Sequence, residues 1–223
     1  AQEILNRHLE AVGGRAAILA ISSVEQRGTL ELASMGMTAD VVMASAKPNR
    51  MSMTMSLAGL GEVQQGFNGE VGWSNDPMSG PRVTQGEELT FRKESASFYE
   101  SFGLYDLDKY SSVEVVEKTS FGGEETYKVR MARKVGPAST EYFSVATGLR
   151  VGSETTVPSP MGNVETSSVV SEYKTIGAVK IPTKIQQSQA GQNVVITLSN
   201  ITFDTVTDEA FALPDAVKAL VKP

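Results

Sequence analysis

The chain has no cysteine. Disulfides, thiolate metal sites, cysteine nucleophiles and iron–sulfur clusters are therefore excluded. It has a single histidine, His8, so a Ser–His–Asp triad or a multi-histidine metal centre lacks its parts. A lone histidine on a helix reads as a packing residue. No apolar run approaches the roughly 20 residues of a membrane-spanning helix. There is no basic cluster, and the net charge over 223 residues is −6. That argues against a nucleic-acid partner and against charge-driven adhesion to anionic lipid. Neither G-x-x-x-x-G-K-[ST] nor G-x-G-x-x-G occurs. The acid pairs Glu87-Glu88, Glu124-Glu125, Asp106 with Asp108, and Asp208-Glu209 fall at helix starts or in loops, where carboxylates are solvated or favour the helix dipole. No catalytic residue, metal site or cofactor is expected, and the chain reads as a non-enzyme.

What the chain has in unusual concentration is methionine. Six of its nine methionines lie between Met35 and Met55. Met51, Met53 and Met55 alternate with Ser52, Thr54 and Ser56. Alternate residues of a strand share a face, so these three methionines stand together, with Met43 on the strand before them. Methionine is flexible and polarizable and suits surfaces that accept variable apolar partners, where a fixed core more often uses Val, Ile or Leu. Three readings remain open: plain core, the lining of an apolar ligand cavity, and a thioether site for Cu(I). Trp73, the only tryptophan, is either a core anchor or a residue at a cavity mouth.

Periodicity gives the organisation. Residues 2–12 read as a helix ended by Gly13-Gly14, with a short helical turn over 15–20. The period then becomes two, with strands over 23–33, 37–46, 50–57, 62–68 and 70–75. Asn68-Gly69 is a hairpin signal. A loop carrying Asn75-Asp76-Pro77 and Gly80-Pro81 follows. A helix is predicted over 86–102, with Thr84 and Glu87 at capping-box spacing and an aromatic face of Phe91, Phe98 and Phe102. Strands return over 111–120, 124–132, 138–145, 148–157, 162–174, 179–190 and 193–204, before a short helical tail over 215–221. One wet and one dry face per strand imply a large antiparallel sheet. About twelve strands curl rather than lie flat, so the sheet wraps around the two helices as one domain over residues 1–223. The chain opens at Ala1-Gln2-Glu3 inside a helical pattern, as it would after loss of a signal peptide.

The order of elements resembles a known family. A first helix ends in Ala11-Val12-Gly13-Gly14 and leads to Gly28-Thr29-Leu30-Glu31. Lys47-Pro48-Asn49-Arg50 joins two strands. Gln65-Gly66-Phe67-Asn68-Gly69 runs into Gly72-Trp73, a helix interrupts the strands midway, and the chain closes with Phe211-Ala212-Leu213-Pro214. This looks like the LolA/LolB-like superfamily, in particular its outer-membrane lipoprotein-sorting-protein-like members. The resemblance implies an unclosed antiparallel β-barrel of about 11–12 strands, with the N-terminal and mid-chain helices over the concave face. It implies a periplasmic protein that carries a lipid or a lipoprotein acyl chain. An envelope membrane protein is a further possible partner. The alternative on the same fold is a sensor or interaction module that binds a protein segment. By this resemblance the cavity is lined by Met43, Met51, Met53, Met55 and Trp73, with Phe91, Phe98 and Phe102 as its lid. Met51, Met53 and Met55 should point inward, and Ser52, Thr54 and Ser56 outward. Family carriers use a cavity arginine in opening and closing, for which Arg27 and Arg50 are the candidates.

Overall fold

A computed structural model describes residues 1–160 and 162–221. Two short helices, α1 (Gln2–Ala11) and α2 (Gly14–Ala20), open the chain. Six strands follow: β1 (Ser23–Leu32), β2 (Met37–Ala46), β3 (Arg50–Leu57), β4 (Gly61–Phe67), β5 (Gly72–Asp76) and β6 (Gly80–Val83). After helix α3 (Gly86–Ser95) come β7 (Tyr110–Phe121), β8 (Glu124–Arg133), β9 (Ser139–Ser144), β10 (Arg150–Ser159), β11 (Gly162–Ile176), β12 (Val179–Gln189) and β13 (Gln192–Phe203). A short helix, α4 (Asp215–Lys218), lies near the C-terminus.

Among the described residues these 13 strands form one antiparallel sheet in the order β6-β5-β4-β3-β2-β1-β13-β12-β11-β10-β9-β8-β7. Neighbours in the sheet are neighbours in sequence, except where β1 pairs with β13. The strands β6 and β7 are its free edges, so the barrel is unclosed.

Geometry explains why the sheet curls. Thirteen strands at about 4.8 Å spacing would make a flat sheet roughly 58 Å wide. Helix α1, with its 10 residues, is only about 15 Å long. Yet Leu5 packs with Tyr110, Val129, Met131 and Phe143 on β7 to β9. Val12, just past the end of α1, packs with Val24, Val41, Ile181 and Ile196 on β1, β2, β12 and β13. One short helix reaches both halves only if the sheet wraps around it. The helical corner is fixed at Gly13, whose φ is +127° and where a Cβ would sit 2.2 Å from the Ala178 carbonyl oxygen. Any side chain there would drive α1 off the β11–β12 turn, where the Lys180 amide donates to Val12 O at 2.9 Å.

Three expectations are corrected. Residues 80–83 are strand β6 rather than loop. Asp76 accepts from the Met78 and Ser79 amides at 2.7 and 3.0 Å, which builds the turn, and an edge strand tolerates Pro81. The mid-chain helix ends at Ser95 rather than 102, with a separate 3-10 turn at Glu100–Phe102. The Phe98 amide donates to Pro48 O at 3.1 Å instead of to Glu94 O, which breaks the helical ladder. The capping box is absent: the N-cap is Gln85 without a side-chain cap, and the Thr84 hydroxyl is buried without a partner.

Candidate functional site

The inner face is the one carrying Val24, Leu30 and Val41. On β2 and β3 the register pairs Val41 with Met55, Met43 with Met53, and Ser45 with Met51. Residues opposite one another in an antiparallel pair share a face, so the methionines point inward and Ser52, Thr54 and Ser56 outward. Met43, Met53 and Met55 are partly buried against the main cluster. Met53 Sδ receives the Gln65 amide at 3.8 Å. Met51 stands beside Phe67, which is fully buried.

Residues 96–105 cover this strip. Phe98 and Phe102 are buried in the same cluster and meet edge-on at 5.2 Å. Phe102 also faces Phe203 at 6.2 Å. Phe91 differs from them. It is only partly buried, because α3 itself has no buried residue.

Helix α3 is instead fastened by charge. At its start Glu88 binds Arg82 of β6 through two contacts of 2.5 and 2.8 Å and meets Arg92 one turn on at 3.4 Å. At its end Glu94 binds Arg133 of β8 at 3.0 Å. Arg133 also binds Glu100 at 2.5 Å and lies over the Tyr110 ring at 4.7 Å. Tyr110 donates its hydroxyl to Glu100 at 3.1 Å. Arg82 belongs to one free edge of the sheet, and Arg133 to the strand beside the other. The helix is therefore a strap across the mouth of the unclosed barrel.

Two cavities lie beneath α3 and the segment that follows it, the first under residues 100–105 and the second under α3 itself. The first, about 190 Å³, has Val24, Gln26 and Ser45 in its floor and His8 and Phe102 in its walls. Gln26 and Ser45 are next in register to Met43 and Met51, so this cavity adjoins the methionine strip. The second, about 210 Å³, lies between Phe91 and Glu94 of α3 and Glu141 and Ser153 of the sheet. Glu100, Ser101, Tyr105 and Arg150 border both. Glu141 is buried, and its nearest cation is Arg150 at 3.5 Å. Burial pushes the Glu141 carboxyl above its ordinary pKa against the pull of Arg150. Burial and the Glu141 charge push the Tyr105 phenol up, so it stays protonated. Burial and Arg150 lower the His8 pKa to about 4, while its Nδ1 contacts Gly148 O at 3.1 Å. His8 is thus a neutral packing residue at pH 7, tilted against Phe143 at 5.0 Å.

Three residues proposed for the cavity lie on the other face. Trp73 pairs with Gly66, and Gly66 with Ser52, which is the outward phase of β3. A Cβ on Gly66 would lie 2.9 Å from the Trp73 ring. Trp73 is buried on the outer face, where α4 packs against β5 and β6. Arg50 is also outward, bound to Asp208 at 2.6 Å and lying over Phe211 at 4.7 Å. Arg27 is outward beside Glu25 at 2.7 Å. The arginines that border the inner cavity are Arg133 and Arg150.

The residues that sequence reading missed are the charged ones: Arg82, Glu88, Glu94, Glu100, Arg133, Glu141 and Arg150. One signal for Glu141 was available. It occupies the phase of Phe143 in the β9 alternation, and β8 pairs that phase with the dry residues Tyr127 and Val129.

No family profile matches the chain. No curated protein matches it by sequence. Solved structures do match its shape. A DUF1329 family protein from Desulfovibrio piger superposes with a TM-score of 0.62 at 14% identity, over 95% of this chain and 96% of that one. A putative outer membrane lipoprotein-sorting protein domain from Vibrio parahaemolyticus gives 0.61 at 13% identity, over 94% of each chain. A LolA superfamily protein from Nitrosomonas europaea gives 0.60 at 14% identity, over 96% and 97%. With one unclosed antiparallel sheet wrapped around its helices and these three likenesses along almost its whole length, the chain has the LolA-like fold.

Proposed function

We propose that the protein is a non-enzymatic periplasmic carrier that holds a lipid, or the acyl chain of a lipoprotein, on the inner face of its open sheet. The observation that carries this reading is the strap. Helix α3 buries none of its residues fully, is held by ion pairs at both ends, and with residues 100–105 covers cavities beside side chains that repack readily. Ligand pockets usually measure about 300–1,000 Å³. The cavities of about 190 and 210 Å³ fall below that range, so on this reading an acyl chain enters only when the lid moves. Lifting α3 with Phe98 and Phe102 would join them along the methionines. An acyl chain gains about 0.8 kcal/mol per buried methylene, so a dozen methylenes supply enough gross energy to hold the strap open.

The likeness to lipoprotein-sorting and LolA superfamily structures supports the reading. The alternative, capture of a protein strand at a free edge, finds less support. The long edge β7 carries irregularities at Tyr110/Ser112 and Val115/Glu117, and bulges blunt an edge against pairing. Solvent extraction and mass spectrometry of the purified protein test the carrier. About one lipid per chain is expected. A lipid-free protein that also fails to bind Nile red would sink the proposal.

A further inference from the structure

The floor of the second cavity holds chemistry that an acyl chain alone does not use. Glu141 lies on the inner face of β9, opposite Val129 of β8 and Ser153 of β10. It is 8% exposed, and its Oε2 has no well-aligned hydrogen bond among the described residues. Arg150 Nη1 is 3.5 Å away, beyond the roughly 2.7–2.9 Å of a charge-assisted bond. Native interiors leave few buried polar atoms unpaired, and each requires a cause. Here the weakly held oxygen, with only the long Arg150 contact, borders a cavity, so a ligand can bring a better-placed donor.

The surrounding charges select the kind of donor. Glu94, Glu100 and Glu141 border this cavity together with Arg133 and Arg150. At Glu141 Oε2 an anionic head would meet that carboxylate, and an ammonium head, though drawn by the carboxylates, would press against Arg150 Nη1, 3.5 Å from the same oxygen. A neutral amide meets neither penalty. It carries one N–H donor and one carbonyl acceptor, and a guanidinium can only donate.

We propose that Glu141 and Arg150 form a head-group site for a neutral acyl amide, with its N–H donated to Glu141 Oε2 and its carbonyl accepting from the Arg150 guanidinium. The chain of the amide runs toward the first cavity and the methionine strip. This assignment rests on the carrier reading above and names the class of ligand it takes.

The test is displacement of Nile red from the full chain at pH 7.5 by three twelve-carbon compounds: N-methyldodecanamide, dodecanoate and dodecylamine. The amide should displace the dye at a concentration at least about tenfold lower than either charged compound, since a well-made buried polar pair discriminates by that much or more. Glu141→Gln frees Arg150 for a carboxylate and should bring dodecanoate level with the amide. Dodecanoate or dodecylamine equalling the amide on the wild-type protein overturns the head-group site. So does an undiminished amide preference in a folded Glu141→Gln variant. Both results leave the carrier standing, because the chains still displace the dye. Failure of Nile red and all three compounds to bind removes the carrier and the head-group site together. The wild-type ranking decides the question alone if the variant does not fold.

Discussion

Acidification should destabilise this protein through His8. The imidazole is 4% exposed, and its Nδ1 contact is a carbonyl, Gly148 O at 3.1 Å. A carbonyl only accepts, so Nδ1 carries the proton in the neutral ring. A second proton would place a cation in a buried site that Arg150 also faces, and the pKa falls from 6.5 to about 4. Between those values the unfolded chain binds the proton and the folded one does not. Stability is therefore intact above pH 6.5 and is lost as pH falls toward 4. Each tenfold loss of proton affinity on folding is worth about 1.4 kcal/mol, so the whole window costs about 3 kcal/mol, with about 2 kcal/mol gone by pH 5.

Glu141 acts in the opposite direction. Its raised carboxyl is relieved of a burial cost when it takes a proton. The comparison must cancel that contribution. His8→Asn keeps a donor near the Nδ1 position, does not titrate, and leaves Glu141 in place. Urea unfolding followed by the fluorescence of Trp73, the single tryptophan, gives stability at each pH. The wild type should lose about 2 kcal/mol relative to His8→Asn between pH 7.5 and pH 5. A gap that stays constant within about 0.5 kcal/mol would refute the reasoning.

Other perturbations test the lid. Gly103→Ala puts a Cβ 2.5 Å from the His8 ring at a φ of +82°, and should cost more than about 2 kcal/mol in urea unfolding. Gly36→Ala, at a φ of +60° in open space, should cost only about 1–2 kcal/mol. Equal costs would show that the His8 contact is unimportant. Arg133→Met strands Glu94 and Glu100 and should cost about 3 kcal/mol. It should also speed amide hydrogen exchange over residues 86–105, and unchanged exchange there would show that the ion pairs do not hold the strap. Met53→Leu should stay within about 1.5 kcal/mol of wild type and keep Nile red binding. Met53→Asp should lose binding, and retained binding would remove the methionine strip from the site.

The lid shows where sequence reading stops. Phe91, Phe98 and Phe102 have helical spacing, and a continuous helix with one aromatic face is the local solution. The structure divides them because Pro48 O, far away in sequence, takes the Phe98 amide. Trp73 is a second case. Its strand was visible, but its face depends on pairing through Gly66 to Ser52, and no local pattern contains that register. Glu88 is a third. At a helix start its charge reads as a dipole partner, yet it holds α3 to the sheet edge through Arg82.

By itself the sequence determined the local periods. Alternation made nearly every strand, Gly13 ended the first helix, and two-residue spacing put Met51, Met53 and Met55 on one face. These depend on backbone geometry within a few residues. Tertiary structure alone decided which face is inner, which arginines enter it, and how the open mouth is spanned. Those outcomes depend on pairing between residues far apart, such as Arg133 with Glu94 and Arg150 with Glu141, and on a sheet wide enough to curl around its helices. Composition carries no record of such pairings, because a charged residue has the same local pattern whether it meets water or an ion partner in the interior.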